Sequence, residues 1–171
     1  NLQPGAGDNL AFTAQYQTSD WVGDVKARTI DLSTGAISYV ELWSAQSLLN
    51  ARVHTDRKIF TFDALDPYVS TSTGASGNQL KHFCMSAAAI SPWCDDGNGL
   101  TAAEQTYFKP NQLPQYVSYT AVQIPNATTE NVVNYLRGHQ DYEDQGTVSP
   151  TDLFRSRSAL LGDIISAQPA Y

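Results

Sequence analysis

The feature that most constrains the fold is a series of short runs in the first third of the chain whose side chains alternate with a period of two. Leu10 to Tyr16 alternates in part. Trp21 to Ile30 places Val25, Ala27 and Thr29 on one side and Lys26 and Arg28 on the other. Ala36 to Trp43 places Ile37, Tyr39, Glu41 and Trp43 on one face, and Arg57 to Phe62 is a fourth run. Period-two patterns of this length suit strands that bury one face. Ser19-Asp20 punctuates the first pair, and Asp31-Leu-Ser-Thr-Gly35 reads as a turn in which Gly35 can take a positive φ. Four successive strands predict an antiparallel meander with the size and order of a propeller blade.

The rest of the chain reads differently. Ser44 to Asn50 has room for one or two helical turns. Tyr68 to Gln79 is rich in Ser, Thr and Gly and reads as a surface loop. Thr101-Ala-Ala-Glu104 has the pattern of a capping box that opens a short helix through Phe108, stopped by Pro110. Thr128 to Arg137 reads as a second helix with Val132, Val133 and Leu136 on one face and Gly138 just beyond its end. The apolar run Leu160-Leu-Gly-Asp-Ile-Ile165 lies near the last residue. The expected class is therefore α+β, as one domain or domain fragment over residues 1–171. Residues 1–66 are β-rich, 67–100 form a loop with the cysteines, and 101–171 are helical.

With 171 residues and 42% hydrophobic content, the chain is long and apolar enough to fold around a core. No apolar run approaches the roughly 20 residues needed to span a bilayer. The chain opens on Asn1 rather than Met, which reads like the interior of a longer protein. A net charge of −7 argues against nucleic acid and against docking on an anionic membrane. There is no G-x-S-x-G, P-loop, H-E-x-x-H or G-x-G-x-x-G pattern, so the chain is read as non-catalytic. Asp95-Asp96-Gly97-Asn98-Gly99 offers oxygen ligands for calcium, but Glu104 falls short of the distance a full calcium loop requires and is already used by the capping box. That segment is read as a tight turn, and no cofactor is expected. Asn126-Ala-Thr128 is a glycosylation sequon, and His54 and His82 lie near basic residues and read as surface or packing residues. Cys84 and Cys94 enclose a short loop with Pro92 and Trp93, compatible with a disulfide or with two buried thiols. The Asp31-x-x-Thr34-Gly35 turn resembles the blade motif of quinoprotein propellers, but Trp43 stands further from Gly35 than that motif places its docking tryptophan.

The chain as a whole resembles type IV pilus tip adhesins of the PilC/PilY type. The resemblance rests on Trp21-x-Gly23-Asp24-x-Lys26-Ala27, Asp31-x-x-Thr34-Gly35, Trp43-Ser44-Ala45 and Arg57-x-Ile59, in that order. It continues through Leu100-Thr-Ala-Ala-Glu-Gln105, Val133-Asn-Tyr-Leu-Arg-Gly138 and Phe154-Arg155-x-Arg157, and ends on Leu160-Leu-Gly-Asp-Ile-Ile-Ser166-x-x-Pro169-x-Tyr171. It implies a segment just before a C-terminal β-propeller, in a protein exported through the periplasm to the bacterial surface and the pilus tip. Such proteins serve pilus assembly, adhesion and twitching motility. The implied partners are the propeller in cis, pilins and minor pilins of the tip, and host or abiotic surfaces. Export also favours a Cys84–Cys94 disulfide. Trp21, Trp43, Leu160, Ile164 and Ile165 are then the expected core or inter-domain surface. The competing readings are a fragment of a quinoprotein enzyme, with pyrroloquinoline quinone and calcium, and a stand-alone carbohydrate- or host-binding module.

Overall fold

The computed structural model describes residues 2–4, 9–62, 68–69, 76–78, 80–85, 99–146 and 149–164. The chain divides into two compact units, residues 1–52 with 157–171, and residues 53–156. The class is α+β, with antiparallel strands and short helices.

The first unit is built on a four-stranded antiparallel sheet in the order β1 (Leu2–Pro4), β2 (Leu10–Gln17), β3 (Val22–Ile30) and β4 (Ile37–Ser44). The turn between β3 and β4 is made locally. The Asp31 carboxylate accepts hydrogen bonds from the Ser33 hydroxyl at 2.6 Å, the Ser33 amide at 2.8 Å and the Thr34 amide at 3.3 Å. These bonds, the Ser33 hydroxyl foremost, hold the carboxyl below its ordinary pKa. Gly35 has φ 70°, and its amide closes the turn on the Asp31 carbonyl. As the alternation predicts, Lys26 and Arg28 share a face, and both engage Glu41 of β4, at 2.6 and 3.2 Å.

Two expectations for this sheet are corrected. Trp43 does not share a face with Glu41. A bulge shifts the register so that Trp43 lies opposite Ala27 while Glu41 lies opposite Arg28. Trp43 thereby meets Phe12, the other cross-strand partner of Ala27, with ring centroids 5.9 Å apart. The fourth expected strand is not part of the meander either. Phe60–Phe62 (β5) is followed by a two-stranded ribbon of β6 (Tyr68–Val69) and β7 (Ser76–Asn78) and pairs with Leu80–His82 (β8) in the second unit, and the fourth place in the four-stranded sheet belongs to β1. Three residues carry little register information, so the pattern could not say which partner β5 would take.

Helix α1 (Ala45–Ala51) follows β4 directly. The Ser44 hydroxyl accepts from the Ser47 amide and donates to Asp24 at 2.8 Å, and the other Asp24 oxygen accepts from the Gln46 amide at 2.9 Å. One β3 carboxylate thus ties down the helix start. The chain's last described segment returns to the same unit. Gly162 bridges Val22, and the Leu160 amide donates to Asn50. A Cβ on Gly23 would lie 2.6 Å from Ile164 Cγ1 and 2.7 Å from the Gly162 carbonyl oxygen. Gly23→Val should therefore displace residues 160–164 and speed proteolysis of the C-terminal segment at least severalfold. Cleavage at the wild-type rate, read by mass spectrometry, would show that this segment is not seated on Gly23.

The second unit holds α2 (Ala102–Gln105) and α3 (Thr129–Leu136). The predicted capping box is formed: the Thr101 hydroxyl accepts from the Glu104 amide, and the Glu104 carboxylate accepts from the Thr101 amide at 2.8 Å. Partial burial pushes the Glu104 carboxyl up, but Lys81 at 2.8 Å and the Thr101 donors outweigh it and hold the carboxyl below its ordinary value. Thr128 caps α3, and Gly138 ends it at φ 101°. Val132 and Val133 are buried while Leu136, in the last turn, is half-exposed, so the apolar face is shorter than expected. Val132 packs with Leu153 and Phe154, flanked by Phe108, Tyr119, Tyr135 and Tyr142. Tyr135 stacks on Phe154 at 4.3 Å, and the Tyr119 hydroxyl donates to the Leu153 carbonyl at 2.7 Å.

Candidate functional site

Two regions stand out, a buried charged centre in the second unit and an exposed apolar surface in the first. The charged centre gives no sequence motif. Arg137, at the end of α3, is only 3% exposed. Its guanidinium donates to the carbonyls of Phe83 at 2.7 Å, His54 at 3.1 Å and Arg57 at 3.1 Å. Arg57, also buried, donates in return to the Arg137 carbonyl at 2.9 Å. Burial pushes the Arg137 pKa down, yet a guanidinium stays charged in proteins. The pair clamps α3 to the segments carrying residues 54–57 and 83. Gly138 is part of this clamp, since a Cβ there would fall on the Arg57 guanidinium. Glu143, in the same unit, is fully buried. Spacing in sequence offers no signal for such a centre, because its acceptors are backbone carbonyls.

Beside the clamp, the His54 and His139 rings lie 4.2 Å apart, and His139 Nε2 is 3.0 Å from Asp141. Burial lowers the His54 pKa, and His139, Arg137 and Arg57 add to that, against Asp141. The ordinary value is 6.5, so the unfolded chain binds more protons than the folded one as the pH falls through that value. Stability is then fully present above pH 6.5 and is lost as the pH drops below it. Acidification from pH 7.5 to 5.5 should lower the melting temperature, and His54→Gln should flatten that dependence. An unchanged slope in thermal melts would contradict this role.

The exposed surface includes Tyr39, Val40 and Leu42 on the edge strand β4, and Trp21, which is 65% exposed at the β2–β3 turn. Of the two places expected for Trp21, core or inter-domain surface, this exposure excludes the core; its φ of 53° is a left-handed conformation that costs a bulky residue about 1 kcal/mol. Trp43 is partly exposed, and Leu160 and Ile164 are half-buried in the first unit, as expected of packing residues. Ile165 lies outside the described residues.

Cys84 is buried and is not a free thiol. Cys94 and the Asp95–Asn98 segment lie outside the described residues. Thr128 of the sequon serves as a helix cap, and the Asn126 carbonyl accepts from Asn131. His82 packs on Phe60, with ring centroids 4.8 Å apart. Among the described residues there is no group of three or more His, Cys, Asp or Glu side chains placed to hold a metal, and no helix is long and apolar enough to cross a membrane.

Comparison with known proteins gives the decisive relationship. The chain is 30% identical, over 96% of its own length, to the type IV pilus biogenesis factor PilY1 of Pseudomonas aeruginosa strain PAK. The chain is related to PilY1. The PilY1 of strain PAO1 matches at the same identity, and that of strain UCBPP-PA14 is 28% identical over 97% of the chain. The chain spans about 12% of the length of these PilY1 relatives. No family model matches the chain, and no solved structure matches it significantly.

Proposed function

We propose that the chain is a non-catalytic structural unit of a type IV pilus biogenesis protein. It would be exported and held at the pilus tip, where it supports assembly, surface attachment and twitching motility. The observation that carries this reading is the similarity to PilY1 along nearly the whole chain. The unit would precede a propeller in cis and contact minor pilins, with no cofactor and no metal of its own. Trp43 packs on Phe12 of its own sheet, which weighs against the quinoprotein reading, where that tryptophan docks a neighbouring blade. The test is a chimera in which this chain replaces the matching segment of PilY1, expressed in a Pseudomonas aeruginosa strain lacking PilY1. Surface pili should return, whereas PilY1 with the segment deleted should not restore them. A chimera that is exported at normal level yet leaves cells without pili would overturn the proposal.

Export also implies that Cys84 is bonded to Cys94. Titration of denatured, unreduced protein should find no reactive thiol. Two thiols per chain would refute the pairing. Closing this short loop should contribute about 2–3 kcal/mol.

A further inference from the structure

The second unit holds a groove of about 760 Å³ lined along one side by the run Asp152 to Arg155. The Tyr135 ring stacks on Phe154 with centroids 4.3 Å apart, and its hydroxyl donates to the Arg155 carbonyl at 3.3 Å. The Tyr119 hydroxyl donates to the Leu153 carbonyl at 2.7 Å, and the Asp144 amide donates to the Phe154 carbonyl at 2.9 Å. Tyr119, Tyr135 and Asp144 all line the same groove, so these bonds fix its wall. That wall is aromatic, and its two phenols have spent their protons on backbone carbonyls. It also carries two carboxylates. Asp144 gives one oxygen to the Gly146 amide at 2.8 Å, and Asp152 gives one to the Ser149 amide at 3.4 Å. The second oxygen of each remains free, with Asp144 exposed and Asp152 half-buried. Arg155 adds a single exposed guanidinium, so acids outnumber bases in the lining.

We infer that this groove takes a basic side chain, lysine or arginine, presented by a protein partner. The aliphatic stem of such a side chain covers the aromatic wall, and its cationic head donates to the free oxygens of Asp144 and Asp152. Charge complementarity selects this occupant. An acidic ligand would meet two carboxylates on a chain of net charge −7, and a purely apolar one would desolvate both carboxylates without a partner. The volume is more than one side chain fills, so the residues on either side of the basic one also have room, which favours a peptide over a free polyamine. The inference does not depend on the pilus reading.

The 171-residue chain should retain capped peptides with a central lysine or arginine on an array that varies this residue to norleucine, acetyl-lysine or glutamate, confirmed by calorimetry with the best binder. Affinity should fall severalfold between about 50 and 300 mM salt. Asp144→Asn and Asp152→Asn each keep an oxygen for the loop amide they hold and remove the charge. Each should weaken binding severalfold, and the pair about tenfold or more, with no fall in melting temperature. Arg155→Gln should strengthen binding by removing a competing cation, and Asp20→Asn, which neutralises an acid of the first unit, should leave it unchanged. Retention of no basic peptide, equal retention of the norleucine peptides, wild-type affinity in the double variant, or tighter binding of spermidine than of any peptide would each overturn the inference. Those outcomes leave the piliation of the PilY1 chimera unaffected, so the two readings fail separately.

Discussion

Replacing Arg137 with leucine is expected to lower the unfolding free energy of the second unit by about 4 kcal/mol. The reason is the number of groups left behind. The guanidinium serves the carbonyls of Phe83, His54 and Arg57, three acceptors from two separate segments of the chain. Leucine fills part of the space but donates nothing, and a buried acceptor left without a donor costs about 1–3 kcal/mol. The Phe83 and Arg57 carbonyls lose that donor outright, while the His54 carbonyl keeps the Arg57 amide at 3.4 Å and loses one bond of two. Relaxation and water reaching the widened centre soften these losses, which is why the expectation is below their plain sum. Arg137→Lys keeps the charge but not the planar fork, and one ammonium cannot meet all three carbonyls in the same geometry, so it should cost about 2 kcal/mol. A domain of this size has about 5–15 kcal/mol in total, so the leucine variant should be near the edge of folding. Urea unfolding followed by hydrogen exchange at α3 is the measurement. A midpoint within error of wild type for both variants would mean the three carbonyls are satisfied without Arg137.

The sequence foretold what is made locally. The Asp31 turn, the Thr101–Glu104 capping box and the Thr128 and Gly138 ends of α3 each draw their donors and acceptors from a few neighbouring residues, so a short pattern suffices. The meander of β2, β3 and β4 followed from period two alone. What sequence reasoning missed is set by contacts at long separation or by backbone detail. The bulge that moves Trp43 away from Glu41 leaves the alternation unchanged, so period two cannot reveal it. Strand β5 carries a plausible pattern but pairs with β8 rather than β4. Trp21 is apolar, which by itself does not decide between the core and an exposed surface, and it stands 65% exposed at a left-handed φ. Arg137 bonds to carbonyls 54, 80 and 83 residues away. Any residue can offer a carbonyl, so an arginine next to a helix end reads as an ordinary solvated cation.

Gly138→Ala should cost about 3 kcal/mol, more than a left-handed glycine at a helix end normally accounts for. Forcing an L side chain to φ 101° costs roughly 1–2 kcal/mol. The remainder comes from Arg57, whose guanidinium occupies the place where the new Cβ would stand. That guanidinium cannot move away cheaply, because it is buried and donates to the Arg137 carbonyl at 2.9 Å. The Cβ therefore strains the backbone or breaks a charge-assisted hydrogen bond, worth about 1.5–3 kcal/mol. A double-mutant cycle separates the two causes. With Arg57→Ala already made, the space is open and Gly138→Ala should cost only its backbone share, about 1–2 kcal/mol. The two substitutions should then be less damaging together than their sum by about 1–2 kcal/mol, read from urea midpoints at constant slope. Strict additivity would show that φ alone makes glycine necessary at position 138, and that Arg57 is not seated against it.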